Sequence, residues 1–231
     1  MRINKYIANT GFTSRRKADD LIKESRVKVN DILITEPGYK VKETDKVTVD
    51  GQVLKLEEKF YIKLYKPVGY ITSNFDPYNK LDLKDLVDID KRFYAAGRLD
   101  KDSEGLLIIT NDGQFTNNII HPKFRLDKEY IVDVDKTLSK TEENLFMQGL
   151  DIGNGEHTSD AYIKLIGNKK YQVIIHQGYN RQIRRMFAYF NINVNRLKRI
   201  RIGDIKLSDL KEKDYRYFDK EEMLFVKKVK R

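Results

Sequence analysis

Residues 95–113 read AAGRLDKDSEGLLIITNDG, so a dense charge cluster directly precedes a run that must be buried. Arg98, Asp100, Asp102 and Glu104 fall within seven positions. A short loop packed against a buried strand can hold a carboxylate rigidly and partly shielded from water. Such an aspartate can act as a nucleophile or a general base. The segment therefore favours a catalytic carboxylate, although a lone aspartate at such a place is more often a turn residue.

The length and composition allow a sizeable core and exclude several kinds of site. The chain has 231 residues, 40% of them apolar, which suits one large domain or a large and a small one. It has no cysteine, which excludes disulfides, thiol nucleophiles and thiolate metal sites. No apolar run approaches the ~20 residues that span a bilayer, and the N-terminus lacks the apolar stretch of a signal peptide. We therefore expect a cytoplasmic protein without a membrane segment.

Positive charge is concentrated in two segments. Residues 1–28 carry eight Lys or Arg against three acids, and residues 181–206 carry eight against one, in a chain whose net charge is +10. Focused positive charge is the expected footprint of a polyanion partner, nucleic acid first. A basic surface can also serve solubility alone, so charge does not decide the function.

The residue pattern predicts two units, 1–58 and 59–231, joined at the charged segment 56–59. In the first unit we expect helices over 3–10 and 14–24, short strands over 27–34 and a hairpin over 45–55. In the second unit the strands are longer, and they are expected over residues 61–66, 105–110, 129–134, 160–166, 170–177 and 197–202. Helices are expected over residues 113–120, 139–149 and 180–190, and after Asp219.

The first unit resembles the S4 RNA-binding domain over residues 1–55. The likeness is carried by Arg2-Ile3-Asn4-Lys5-Tyr6, by Ser14-Arg15-Arg16-Lys17-Ala18 with Leu21-Ile22, and by Val27-Lys28-Val29-Asn30. A helix capped by Ser14 that begins with Arg15, Arg16 and Lys17 directs three cations and its positive N-terminal dipole at one region, which suits a phosphate.

Two further features of this segment bear on the S4 likeness. Lys28 and Asn30 stand at alternate positions of the next strand, so we expect them to share a face and to extend the phosphate site. The family usually has glycine where Ser25 and Asp31 stand. Both positions lie at turns that need unusual backbone angles.

The segment GRLDKDSEGLLIITNDG resembles, nearly residue for residue, the signature of pseudouridine synthases of the RsuA type. Further motifs match in the same order: Lys66-Pro67-Val68-Gly69-Tyr70, Lys128-Glu129-Tyr130, Asn180-Arg181-Gln182-Ile183-Arg184-Arg185-Met186-Phe187, and Leu197-Lys198-Arg199 with Ile202-Gly203. Five ordered motifs are far more specific than any one of them. The fold class that this resemblance implies is α+β, with a small S4-like unit followed by a catalytic domain whose mixed, mainly antiparallel sheet is flanked by helices.

The resemblance implies a reaction and a residue for each role. Uridine in ribosomal RNA would be isomerised to pseudouridine, with Asp100 as the essential carboxylate and Tyr130 stacked on a flipped-out base. Arg184 would keep Asp100 ionised, and Arg98 would contact RNA. Neither a metal nor an organic cofactor is implied, and a monomer is expected. The first step, whether attack at C1′, attack at C6 or removal of the C2′ proton, stays open, as does the ribosomal subunit.

The helix that follows Asn180 allows a geometric prediction for its arginines. Ile183, Met186 and Phe187 fall on one apolar stripe that must face the core. At 100° per residue, Arg184 lies at the edge of that stripe, so we expect it to be half-buried and paired with a carboxylate. Arg181 and Arg185 point away from the stripe and are assigned to phosphate contact.

Two other classes of function are open. One is a non-catalytic S4-type RNA-binding or ribosome-assembly protein, which would not need the set of Asp100, Tyr130 and Arg184. The other is a carboxylate enzyme such as a nucleosidase, which normally has a second carboxylate at a matching distance and would leave the S4 unit unexplained. The histidines are too far apart in sequence to indicate a metal site.

Overall fold

The computed structural model describes residues 1–73 and 81–230. The chain divides into two compact units. The smaller unit comprises Met1–Phe60 and Ile89–Arg92, and the larger comprises Tyr61–Asp88 and Phe93–Arg231. The sequence does not predict that residues 89–92 belong with the smaller unit. We keep the domain boundary between residues 58 and 59 as a proposal.

The smaller unit packs helices against a short antiparallel sheet. The helices are α1 (Ile3–Asn9) and α2 (Arg15–Lys23). The strands are β1 (Val27–Val29), β2 (Ile32–Leu33), β3 (Val47–Val49) and β4 (Gln52–Val53), in the order β2-β1-β3-β4. The side chain of Ser14 caps α2 by accepting a hydrogen bond from Lys17 N (3.1 Å), as predicted. A shared core of Ile3, Ile7, Ala18, Ile22 and Val27 holds these elements together.

The turns of the smaller unit have the unusual backbone angles expected at Ser25 and Asp31, but they do not place Asn30 on the strand as predicted. Ser25 (φ 60°) and Asp31 (φ 65°) both adopt the left-handed backbone that glycine provides most easily. Asn30 (φ 51°) also lies in this region, one residue beyond β1. Its amide donates to Asp45 Oδ1 (3.0 Å) and accepts from Lys46 N (2.9 Å). The predicted common face of Lys28 and Asn30 is therefore wrong, because alternate residues share a face only within a strand.

The larger unit is built on a mixed sheet. Its strands are β5 (Tyr61–Lys66), β6 (Tyr94–Ala95), β7 (Glu104–Thr110), β8 (Lys128–Val134), β9 (Tyr162–Gly167), β10 (Lys170–Ile175), β11 (Val194–Ile202), β12 (Ile205–Lys206) and β13 (Tyr215–Tyr217). The order is β13-β5-β7-β11-β8-β10-β9, with β6 beside β7 and β12 beside β11. Among these pairings only β7–β11 is parallel, which confirms the mainly antiparallel sheet.

Helices cover this sheet. They are α3 (Gly113–Ile120), α4 (Lys140–Gln148), α5 (Gln182–Ala188) and α6 (Lys220–Val229), with short 3-10 helices at Leu83–Asp85 and Pro122–Phe124. Asp112 caps α3 by accepting from Gln114 N (3.0 Å) and Phe115 N (3.2 Å). Phe115 of α3 and Phe225 of α6 pack edge to face in the core beside Leu106 and Ile108. The apolar run after the charge cluster is thus a buried central strand, as predicted.

Gly105 allows the two central strands to approach closely. It lies opposite Arg199 in the parallel pairing, with φ +104°. A Cβ at this position would stand 2.2 Å from Arg199 O, so a side chain here would force the strands apart. The glycine of the signature therefore fixes where β11 meets the loop that carries the charge cluster.

Candidate active site

A cavity of about 380 Å³ opens in the larger unit. Four parts of the unit line it: the loop over residues 96–103, one face of the sheet, the C-terminal end of α3, and the segment 178–183 that leads into α5. These are the segments in which the sequence places its signature and its basic helix. Both Asp100 and Tyr130 line the cavity.

The sheet face that lines the cavity carries polar side chains. Lys128 and Tyr130 alternate along β8, so they point to the same side. Arg199 of β11 lies directly opposite Tyr130, and Ile175 of β10 lies opposite Lys128. Directly opposed residues of antiparallel strands also share a face. A tyrosine that is 7% exposed is thus held between two basic side chains at the base of the cavity.

Asp100 stands on the loop between β6 and β7 and is half-buried. Its main-chain oxygen accepts from Ser103 N (3.1 Å), which closes a tight turn. Within the described part of the chain, neither carboxylate oxygen has a hydrogen bond or an ion pair. The carboxylate is therefore free to meet a substrate in the cavity.

Every main-chain oxygen from residue 98 to residue 103 accepts a hydrogen bond. In the first half of the loop, Arg199 Nη1 donates to Arg98 O (3.2 Å), Thr72 Oγ1 to Leu99 O (2.6 Å) and Ser103 N to Asp100 O (3.1 Å). In the second half, Gly69 N donates to Lys101 O (2.7 Å), Arg184 Nη2 to Asp102 O (2.7 Å) and Lys66 Nζ to Ser103 O (2.8 Å). A loop with all its acceptors engaged is held in one conformation.

Lys66 is a fully buried cation behind this loop. Its Nζ also donates to Pro67 O (2.8 Å). Burial lowers the pKa of Lys66 to about 8, and the charge of Asp100 opposes that shift.

Lys128 and Arg199 are two basic residues of the cavity lining to which the sequence prediction gave no role in the site. Lys128 Nζ donates to His176 O (3.1 Å), and burial, with the nearby charge of Arg199, lowers the pKa of Lys128 to about 8. Arg199 is 2% exposed, and its Nε donates to Leu106 O (2.8 Å). Both belong to motifs that carry the family resemblance, and this was the available signal. Lysine and arginine in alternating strands are ordinarily assigned to the exposed face.

Arg184 is half-buried, as predicted, but its carboxylate partner is a different one. Its Nη1 donates to Val194 O (2.7 Å) and its Nη2 to Asp102 O (2.7 Å), while Nε lies 3.3 Å from Asp102 Oδ2. The predicted pairing of Arg184 with Asp100 is therefore wrong in this structure. Arg184 acts on the loop that carries Asp100 through Asp102. The prediction failed because the position of an arginine on its helix does not distinguish two carboxylates that stand two residues apart.

Arg181 stands at the edge of the cavity. It is the residue before α5, with φ 50°, so the predicted helix over 180–190 begins later than expected. Its guanidinium makes a bidentate pair with Asp102, at 3.0 and 2.8 Å. These bonds, with the nearby charge of Arg184, hold the pKa of Asp102 below its usual range. Arg181 and Arg98 are both exposed, and both line the cavity.

Arg185 does not face solvent, which corrects the prediction from the helical periodicity. It donates to Ile152 O (2.6 and 3.1 Å) and to Gly153 O (2.9 Å), and it pairs with Glu156. The side chain is 22% exposed. The loop over residues 152–156 folds over this face of α5, a long-range packing that periodicity cannot show.

The basic residues of the smaller unit that the sequence assigns to phosphate contact lie on its surface. Arg15, Arg16 and Lys17 are exposed on the first turn of α2, and Lys28 is exposed on β1. None of these four side chains has a hydrogen bond or ion pair within the described residues. Asn30, by contrast, uses its amide within the unit.

Neither a metal centre nor a membrane span is found in the described residues. No group of three or more His, Asp or Glu side chains is arranged to hold a metal ion. No helix is both long and apolar enough to cross a membrane.

Comparison with known proteins agrees with this geometry. Residues 60–189 match the family of RNA pseudouridylate synthases, and residues 1–47 match the S4 domain. The chain is 40% identical to "Ribosomal large subunit pseudouridine synthase B" of Bacillus subtilis, covering 93% of this chain and 91% of the relative. It is 34% identical to "Ribosomal small subunit pseudouridine synthase A" of Vibrio cholerae, covering 98% of this chain and 99% of the relative.

A dual-specificity relative and a solved structure extend the same likeness. The chain is 36% identical to "Dual-specificity RNA pseudouridine synthase RluF" of Escherichia coli, over 99% of this chain and 79% of the relative. A crystal structure of a pseudouridylate synthase covers 99% of each chain at 30% identity, with a TM-score of 0.72. The chain belongs to the RNA pseudouridylate synthase family and carries an S4 domain at its N-terminus. It is an enzyme that isomerises uridine to pseudouridine in RNA.

Proposed function

We propose that this enzyme modifies a uridine of ribosomal RNA, with Asp100 as the essential carboxylate acting on a flipped-out nucleoside. The observation that carries the proposal is the half-buried Asp100, which has no partner within the described residues and faces a cavity that also contains Tyr130. The names of the relatives support ribosomal RNA as the substrate class. Ribosomal RNA as substrate implies action in the cytoplasm, and we propose that the enzyme acts as a monomer.

The reaction breaks the N1–C1′ bond of uridine, turns the uracil and joins C5 to C1′; the C5 proton is released and N1 takes up a proton. Three first steps suit a carboxylate at this place: attack on C1′, attack on C6, or removal of the proton from C2′. Deuterium at C2′ distinguishes the third step from the other two, since only the third breaks that C–H bond and would be slowed. Tyr130 then stacks on the freed base and keeps it in the cavity while it turns.

The RNA has to bring its base out of a helix to reach this cavity. Extrusion costs a few kcal/mol and is least costly in loops and irregular regions, so we propose such a region as the target. The exposed Arg98 and Arg181 at the cavity edge and Arg15, Arg16 and Lys17 of the smaller unit are placed to bind its phosphates. Arg184 stabilises the loop that carries Asp100 by donating to Asp102 O.

Asp100→Asn tests the proposal. The change keeps the shape of the side chain and removes its charge, so RNA binding and the unfolding midpoint should be retained while activity is lost. Activity is measured as tritium released from C5-labelled uridine in transcripts of small- and large-subunit ribosomal RNA. Asp204→Asn, at an exposed aspartate paired with Lys228, is the matched control and should keep the full rate. A rate of Asp100→Asn within about tenfold of the unmodified enzyme, or ~1.4 kcal/mol of barrier, would rule out the carboxylate as catalyst.

A further inference from the structure

The direction of the Asp100 carboxylate is set by its main chain. No side chain of the described residues binds its oxygens, in contrast to Asp102, which two arginines hold. A carboxylate without a partner of its own points where its backbone and rotamer direct it. Whatever fixes the peptide in front of Asp100 therefore fixes the angle at which the carboxylate enters the cavity.

Thr72 binds both polar groups of the residue directly before Asp100. Its Oγ1 donates to Leu99 O (2.6 Å) and accepts from Leu99 N (3.1 Å). The side chain of Leu99 is itself buried, at 6% exposed. With its N–H, its carbonyl and its side chain all held, Leu99 has little freedom to rotate, and the Cα of Asp100 is held with it.

Thr72 differs in kind from the other side chains that bind this loop. Arg199, Arg184 and Lys66 are cations with little exposure, and each also bonds a second part of the unit. Their removal would take away charge and packing together with the bond to the loop. Thr72 is neutral, and both of its side-chain bonds go to Leu99, so its hydroxyl contributes geometry alone.

We propose that Thr72 is a positioning residue for Asp100: its hydroxyl fixes the Leu99–Asp100 peptide and thereby sets the rate of the chemical step. This inference rests on the proposed role of Asp100. Misplacement of a reacting group by about 1 Å can cost about 100-fold in rate, so a hydroxyl that touches no reacting atom can still control turnover.

Thr72→Val and Thr72→Ser form the test pair. Valine keeps the shape of threonine and removes the hydroxyl, whereas serine keeps the hydroxyl and removes the methyl group. With saturating ribosomal RNA transcripts, Thr72→Val should release tritium about 10- to 100-fold more slowly, with an unchanged RNA concentration at half-maximal rate. Thr72→Ser should recover most of the rate. Thr72→Ala, which removes the hydroxyl without adding a methyl group against Leu99, replaces valine if that variant does not fold.

Thr158→Val is the matched control. Thr158 is buried in the same unit, away from the cavity lining, and its Oγ1 accepts from Leu150 N (2.8 Å). This variant should lower the unfolding midpoint and keep the rate, which separates lost stability from lost positioning. Positioning by Thr72 is refuted if Thr72→Val keeps the full rate, or if Thr72→Ser is as slow as Thr72→Val. Asp100→Asn is measured in parallel, because an active Asp100→Asn would refute the proposed catalytic role itself.

Discussion

At the scale of single residues, three arginines of one short segment use their guanidinium groups differently. Arg181 pairs with Asp102 at the exposed edge of the cavity. Arg184 binds the main chain of the same loop and of β11. Arg185 binds a different loop, the one over residues 152–156. Only a side chain that leaves donors in solvent can neutralise a phosphate, and Arg185 has little of its guanidinium left for that.

Replacing Arg185 with methionine distinguishes a structural role from phosphate contact. Methionine keeps most of the apolar stem but leaves the carbonyl of Ile152 and the carboxylate of Glu156 without the donor that Arg185 supplies, while Gly153 O keeps only its bond from Glu156 N. We expect the free energy of unfolding in urea to fall by about 1–3 kcal/mol. The salt dependence of RNA binding should not change, because no phosphate contact is lost.

Arg125→Met is the control for this prediction. Arg125 is 59% exposed and pairs with the exposed Asp160, so its loss should cost less than about 1 kcal/mol. If Arg185→Met instead left stability intact and reduced the slope of log Kd against log salt by about one, Arg185 would be a phosphate ligand after all.

Residue identity alone could reveal the acid of the cavity but not the buried cations that line the cavity or lie behind its loop. Asp100 and Tyr130 follow from an ordered set of motifs, and the structure brings both to one cavity. Lys66, Lys128 and Arg199 stand in the same motifs, yet their roles depend on carbonyls that distant segments supply, such as Ser103 O and His176 O. A sequence indicates where a cation stands and not whether the chain folds over it.

At the scale of elements, α2 is the helix whose sequence most directly indicates a function, which is contact with phosphate. Its first turn exposes Arg15, Arg16 and Lys17 behind the cap at Ser14, so side-chain charge and helix dipole act on the same region. Changing all three to alanine should weaken RNA binding and reduce the slope of log Kd against log salt by about two. The rate of tritium release at saturating RNA should not change, since no cavity residue is altered.

A triple change on α6 controls for the lost charge. Lys220, Lys227 and Lys228 are exposed on that helix, and their replacement by alanine removes the same net charge from the larger unit. An equal loss of salt dependence in both triple variants would mean that net charge, rather than the first turn of α2, attracts the RNA.

Helix and strand bounds could be predicted where a cap or an alternation marks them. Asp219 caps α6, as expected, and α4 begins within one residue of the predicted start, behind a cap at Ser139. The start of α5 was missed because Arg181 adopts a left-handed backbone, which is uncommon for arginine and has no sequence mark. The short strands β6, β12 and β13 were missed as well, since two or three residues show no periodicity.

At the scale of the whole molecule, the sheet order could not be read from the strands. The pairing of β7 with β11 joins residues more than ninety positions apart and is the parallel step of the larger sheet. It depends on Gly105, which admits the backbone of Arg199, and on Arg199 Nε, which donates to Leu106 O. The same close packing buries charge in the larger unit, where Lys66 and Lys128 are 0% and 8% exposed.

Because of these two buried lysines, the free energy of unfolding should change with pH in the alkaline range. Burial lowers the pKa of each to about 8 in the folded protein, from 10.5 in the unfolded chain. Between these values the unfolded state binds more protons than the folded state, so the free energy of unfolding rises with pH. The tyrosines act in the opposite direction. Burial and a hydrogen bond to Glu104 raise the pKa of Tyr65 to about 12, so stability falls as pH rises above 10.

The urea midpoint of the larger unit should therefore rise between pH 8 and pH 10 and fall again above pH 10. Each lysine contributes about 1.4 kcal/mol per pKa unit of its shift, which amounts to roughly 3 kcal/mol for each of the two. Circular dichroism is the appropriate signal, because the chain has no tryptophan. Lys66→Met removes one of the two groups and should reduce the rise by about half. A midpoint that stays level or falls from pH 8 to pH 10 would show that these lysines remain charged, and that water reaches the interior of the sheet.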